Sequence, residues 1–166
     1  MNYDEIETVT IAYITSNIAG LILLWVAYKN TKLARLLFAI LFAWASWVNL
    51  TTARSTPEMY LEYGKTSVEI YAAFINGWFQ ENVKPFVTVI AVLQGLIAIG
   101  MLLFGRWVLL AGIGAIVFLM AIAPLGLYAA FPFSITVSIA AILIIRTDDR
   151  HFLRTALIRK HSPVSD

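Results

Sequence analysis

Residues 8–28, TVTIAYITSNIAGLILLWVAY, decide the fold class: 21 consecutive residues with no charge among them. At 1.5 Å per residue a helix of that length spans about 31 Å, the thickness of a bilayer's hydrocarbon core. The residues before it, Met1-Asn2-Tyr3-Asp4-Glu5-Ile6-Glu7, are acidic. A secretory signal starts basic and has a shorter apolar core, so this helix is expected to be retained. Lys29, Lys32 and Arg35 follow as a basic cluster.

Four more apolar segments lie downstream. Residues 33–53 form the second, with Trp44 and Trp47 toward its far end, where aromatic residues meet an interface. Pro85 suits the first turn of a third helix over 85–104. Gly105-Arg106 is a tight turn into a fourth helix over 107–123. Residues 124–131 (PLGLYAAF) read as an uncharged turn, and Pro132 opens a fifth segment ending at 145. At about 21 Å that segment needs flanking residues or a thinned bilayer to cross. Between the second and third helices lies a polar stretch. Within it Val68, Ile70, Tyr71, Phe74, Ile75, Trp78 and Phe79 recur mostly three and four apart. The segment 57–80 is therefore expected as an amphipathic helix at the membrane surface or over the bundle mouth. The basic tail 146–166 places Phe152, Leu153, Ala156 and Leu157 on one helical face, suited to an anionic inner leaflet or to a solvated end.

The whole chain agrees with this pattern. Its 166 residues are 60% hydrophobic and 13% charged, about half the charge of a soluble domain, too little to cover a water-facing surface. The basic residues sit at segment ends, so the slight positive balance does not point to nucleic acid. There is no cysteine, which excludes disulfides, thiolate metal sites and iron–sulfur clusters from this chain. His151 and His161 both lie in the tail, so no apolar segment offers a histidine for two-histidine haem ligation or for copper.

Five spans with the amino terminus outside put Lys29, Lys32, Arg35, Arg106, Arg146, Arg150, Arg154, Arg159 and Lys160 on the cytoplasmic side. Only Arg54, Lys65 and Lys84 are left outside. This nine-to-three bias sets the expected orientation, with the carboxyl terminus in the cytoplasm. The expected fold is thus all-α, an integral membrane bundle of five transmembrane helices with an extracytoplasmic amphipathic helix, forming one domain over 1–166.

Few residues invite a functional role. Gln94, mid-way along the third helix, would orient a polar headgroup or form a helix–helix hydrogen bond, the commoner use of such a residue. Ser16 and Asn17 have the same two options. Trp47, Asn49, Arg54, Glu58, Tyr60, Glu62 and Tyr63 gather where the second helix leaves the membrane. Arg54 and Glu58 are four apart and would pair on a helix, although Pro57 intervenes. No phosphate loop, nucleophile elbow or helix-borne metal pair occurs, so no catalytic or metal-binding residue is expected.

From residue 33 to 145 the helix layout resembles the DoxX-like family of small bacterial membrane proteins. The resemblance is carried by Phe42-Ala-Trp-Ala-Ser-Trp-Val-Asn-Leu50, by Gln94-Gly-Leu-Ile-Ala-Ile-Gly100 and by Gly105-Arg106-Trp107. It implies a four-helix core plus an extra N-terminal helix, in a bacterial cytoplasmic membrane. Small size, the absence of catalytic constellations and the many small and aromatic residues of the apolar helices point to an accessory subunit without enzymatic activity, packed against other membrane subunits or copies of itself. The alternative, since some family members are associated with quinone-linked systems, is a quinone-interacting subunit of an oxidoreductase. No family residue carries over; the candidate contacts, read from the residues themselves, are Gln94, Trp47 and Tyr63, with Asn49 and Arg54 as further ligand-binding candidates. A small-solute transporter fits less well, because no internal repeat is visible.

Overall fold

A computed structural model describes residues 3–148, the side chains of residues 3–6 and 8 excepted. The expected tail helix lies outside the described residues, which are helical nearly throughout and contain no strand. The long elements are α1 (Tyr3–Lys29), α2 (Thr31–Ser55), α4 (Val83–Leu102), α5 (Arg106–Ile122) and α6 (Phe133–Thr147). Four spans are long and apolar enough to cross a membrane: Val9–Lys29, Thr31–Ser55, Val83–Leu102 and Arg106–Ala129. With 15 residues, α6 is apolar but shorter, about 22 Å.

The helices form a closed ring. Each of α2, α4, α5, α6 and α1 packs on the next, and α1 returns to α2. The α1–α2 connection is a single residue, Asn30. Its extended backbone leaves the helix, and its side-chain oxygen accepts from Leu33 N at 3.0 Å, an N-cap that starts α2 at once. Between α4 and α5, Gly105 takes φ +61, a conformation that disfavours any side chain.

Small residues bring the helices close. Ala34, Ala39, Ala111, Ala115, Ala140 and Ala141 are buried at the seams, around Phe38, Phe42, Met101 and Leu119. In lipid, where apolar burial gives helices little reason to associate, such close van der Waals packing supplies much of the attraction. Phe42 stacks on Phe38 and meets Phe118 of α5 edge-on.

Residues 57–80 are not one amphipathic helix. Pro57 opens a 3-10 segment to Lys65, then come a short α-helix, α3 (Glu69–Phe74), and a π turn (Ile75–Phe79) that is non-helical at Gly77. One face of this excursion is nevertheless buried. Ile75 and Phe79 join Ala53, Val83 and Val87 in a second core at the junction of α2 and α4. The segment therefore folds back onto the end of the bundle opposite Lys29, Arg106 and Arg146.

Candidate functional site

Two polar clusters lie apart along the helices, one at the basic end and one running from mid-depth toward the other end. At the basic end Arg35 is 1% exposed, although it follows Lys32 by one turn of α2. Its Nε donates to Met101 O at 3.0 Å and its Nη2 to Leu103 O at 2.5 Å. Its Nη1 forms a 2.9 Å ion pair with Asp148, just past α6. The guanidinium thus satisfies carbonyls that the end of α4 leaves open and binds α6 in the same fork. The Thr31 and Thr147 hydroxyls, 2.7 Å apart, add a contact beside it.

From mid-depth outward, Asn49 Nδ2 donates to Gln94 Oε1 at 2.8 Å, and Tyr60 Oη donates to Asn49 Oδ1 at 2.8 Å. Gln94 is 2% exposed. Tyr60 stacks on Tyr63, whose ring meets Tyr128 edge-on. Burial, then the neighbouring Tyr63, push the Tyr60 hydroxyl from its ordinary value of 10.0 up to about 12; a bond from Thr52 opposes this. Burial also raises Tyr63. Nearby, Ser46 Oγ donates to Ala91 O at 2.6 Å, a second α2–α4 bond.

Gln94, Asn49 and Tyr63 are therefore brought together, with Tyr60 as the link. Trp47 and Arg54 are not; both are exposed, as is Glu58. The ion pair in this stretch is instead the surface pair of Lys65 with Glu62. Asn17 donates to Ala130 O at 3.2 Å, holding α1 to the turn before α6, and Ser16 bonds back to Ala12 O within α1. Sequence reasoning missed the Arg35–Asp148 pair and the linking role of Tyr60. A buried arginine near a helix start looks the same in sequence as one reaching for water.

A third feature is the turn between α5 and α6. Pro124 O accepts from Val68 N at 3.0 Å, Leu125 O from Thr66 Oγ1 at 2.8 Å, and Ala121 O from Tyr71 Oη at 2.9 Å. Gly126, at φ +74, lies so close to Thr66 O that a Cβ there would collide with it. Among the described residues no group of three or more His, Cys, Asp or Glu stands where it could hold a metal ion. No known family, curated protein or solved structure matches the chain.

Proposed function

We propose that this chain is a multi-pass membrane subunit without catalytic activity, an accessory protein that packs against partners in a larger membrane assembly. The observation that carries this is the use of its interior polar groups. Asn49, Gln94, Tyr60, Arg35 and Asp148 bond to one another or to backbone carbonyls across helices. Such bonds hold a bundle together and leave no nucleophile–base pair poised for chemistry.

All five tryptophans are 56–64% exposed, which a water-soluble fold would avoid. Trp25 and Trp107 lie toward the basic end, and Trp47 and Trp78 toward the other, as interfacial belts require. The charge bias supports an orientation with Lys29, Arg106 and Arg146 in the cytoplasm and residues 57–80 outside, and the DoxX-like resemblance supports a bacterial cytoplasmic membrane. In this proposal α6 is a fifth span. The turn before it meets α1 at Asn17, the residue after it meets α2 at Arg35, and its flanks on α1 and α5 shield its short length. The DoxX-like resemblance rests on the helix layout, the Gln94–Gly100 segment and the Gly105-Arg106 turn, with no matching family to support it.

Gentle extraction followed by mass spectrometry tests the role. A copurifying membrane protein or a defined homo-oligomer is expected, and a solitary monomer overturns it. Consistent recovery of a quinone would favour the oxidoreductase alternative. For orientation, Lys65→Cys should label from outside intact cells and Lys29→Cys should not.

A further inference from the structure

The outward face of the segment after α2 remains unexplained by the ring. Ile70, Phe74 and Trp78 are exposed there, and Phe74 and Trp78 stack at 5.9 Å between ring centroids. Both rings also meet Phe86, on the first turn of α4, at 5.8 Å. Phe79 closes the cluster from beneath, 5.4 Å from Phe86. The ring cluster thus straddles the surface segment and a helix whose outer surface continues as exposed Val89, Leu93 and Leu96.

Helix lengths place this cluster at a definite depth. Tyr71 Oη reaches Ala121 O, and Ala121 stands 15 residues along α5 from Arg106, about 22 Å above the basic end. Adding the tyrosine's length sets Tyr71 near the outer edge of a hydrocarbon core of roughly 30 Å. Phe86 lies four residues into α4, a helix of 20 residues and about 30 Å, at the same level. The uncharged turn after α5 then lies just below that edge, where lipid would not satisfy its backbone. The bonds from Thr66, Val68 and Tyr71 do so instead, and they also hold the segment at this height.

We infer that residues 69–79 are an interfacial lipid anchor, with Ile70, Phe74 and Trp78 seated in the headgroup–acyl boundary beside α4. The inference rests on the membrane-spanning assignment above. Its occupant is lipid because the face is continuous with the apolar surface of α4. It is rimmed by exposed Glu69, Glu81 and Lys84, which reach water from that depth.

The test uses two single-tryptophan proteins in phosphatidylcholine nanodiscs. One keeps Trp78 (Trp25→Phe, Trp44→Phe, Trp47→Phe, Trp107→Phe) and the other keeps only Trp44. Lipids brominated near the headgroup should quench Trp78 at least about twofold more than lipids brominated near the chain end, with acrylamide ineffective. Quenching of Trp78 by acrylamide alone, or by neither agent, overturns the anchor, since water or protein would then cover the face. If Trp44 also escapes both brominated lipids, the spanning assignment itself fails, and the anchor with it. Should the quadruple substitution not fold, a nitroxide on Ile70→Cys in the otherwise native chain gives the same answer. Higher accessibility to oxygen than to a water-soluble nickel chelate supports the anchor, and the reverse overturns it.

Discussion

Arg35 and Asp148, 113 residues apart in sequence, form a buried ion pair at 2.9 Å that ties α2 to the end of α6. The same guanidinium binds Met101 O and Leu103 O, so three chain segments meet on one side chain. Taking a guanidinium out of water is costly unless every donor direction is met, and this fork meets a carboxylate and two carbonyls.

Removing one partner leaves the other charge buried without its counter-ion. Arg35→Ala is therefore expected to destabilise the bundle by about 3–5 kcal/mol, with Asp148→Asn costing less because the amide still accepts. Thermal unfolding of the purified protein in mild detergent measures both. A double-mutant cycle should show the two losses to be less than additive; full additivity would mean that the pair does not couple the helices.

Gln94→Leu breaks the Asn49 bond at mid-depth and is expected to cost roughly 0.6–2 kcal/mol, with Asn49→Leu similar. The double substitution, which removes donor and acceptor together, should be milder than the sum. If Gln94 instead served a ligand, Gln94→Leu would leave stability unchanged while abolishing copurification of a bound small molecule.

Much of the helical layout was legible in the lengths of the apolar runs and the placement of charge at their ends. Uncharged runs near 20 residues, flanked by Lys and Arg, show where helices run. Gln94 stood out as a lone amide in an apolar run. Its partner did not, because Asn49 lies 45 residues away and only the α2–α4 pairing brings them together. Arg35 was hidden for a related reason. Its position beside Lys29 and Lys32 implies an interface, and its burial depends on the ends of α4 and α6 arriving over it. The excursion 57–80 kept its amphipathic character but not its expected regularity, since Thr66 and Val68 are drawn to the α5–α6 turn.

Two glycines on the α4–α5 seam should respond in opposite directions. A Cβ at Gly100 would stand 2.7 Å from Ala111 Cβ and 3.3 Å from Trp107 O, atoms that move only if α5 moves. Gly100→Ala is expected to destabilise by about 1–3 kcal/mol through overpacking. A Cβ at Gly114 meets Ile97 Cγ1 at 3.4 Å, an ordinary contact with a flexible side chain. Gly114→Ala should be neutral or stabilising by up to about 1 kcal/mol, the helix-propensity difference. Melting temperatures in one detergent decide the ranking, and a larger loss at Gly114 would contradict this seam.

Alkaline pH should loosen the far end before the basic end. The Tyr60 hydroxyl is pushed from 10.0 up to about 12, chiefly by burial, so the folded protein holds its proton where an unfolded chain would release it. A raised folded-state value in an acid favours the neutral form. The contribution is fully present below pH 10 and is lost as pH rises through about 12. Stability should therefore fall between those values, with tyrosinate absorbance appearing late relative to exposed tyrosines. Tyr60→Phe removes the proton and should flatten this slope only in part, because burial raises Tyr63 as well. The slope is the decisive readout, since losing the bond to Asn49 lowers stability at every pH. An unchanged slope in Tyr60→Phe would show that Tyr60 titrates as a solvent-exposed phenol.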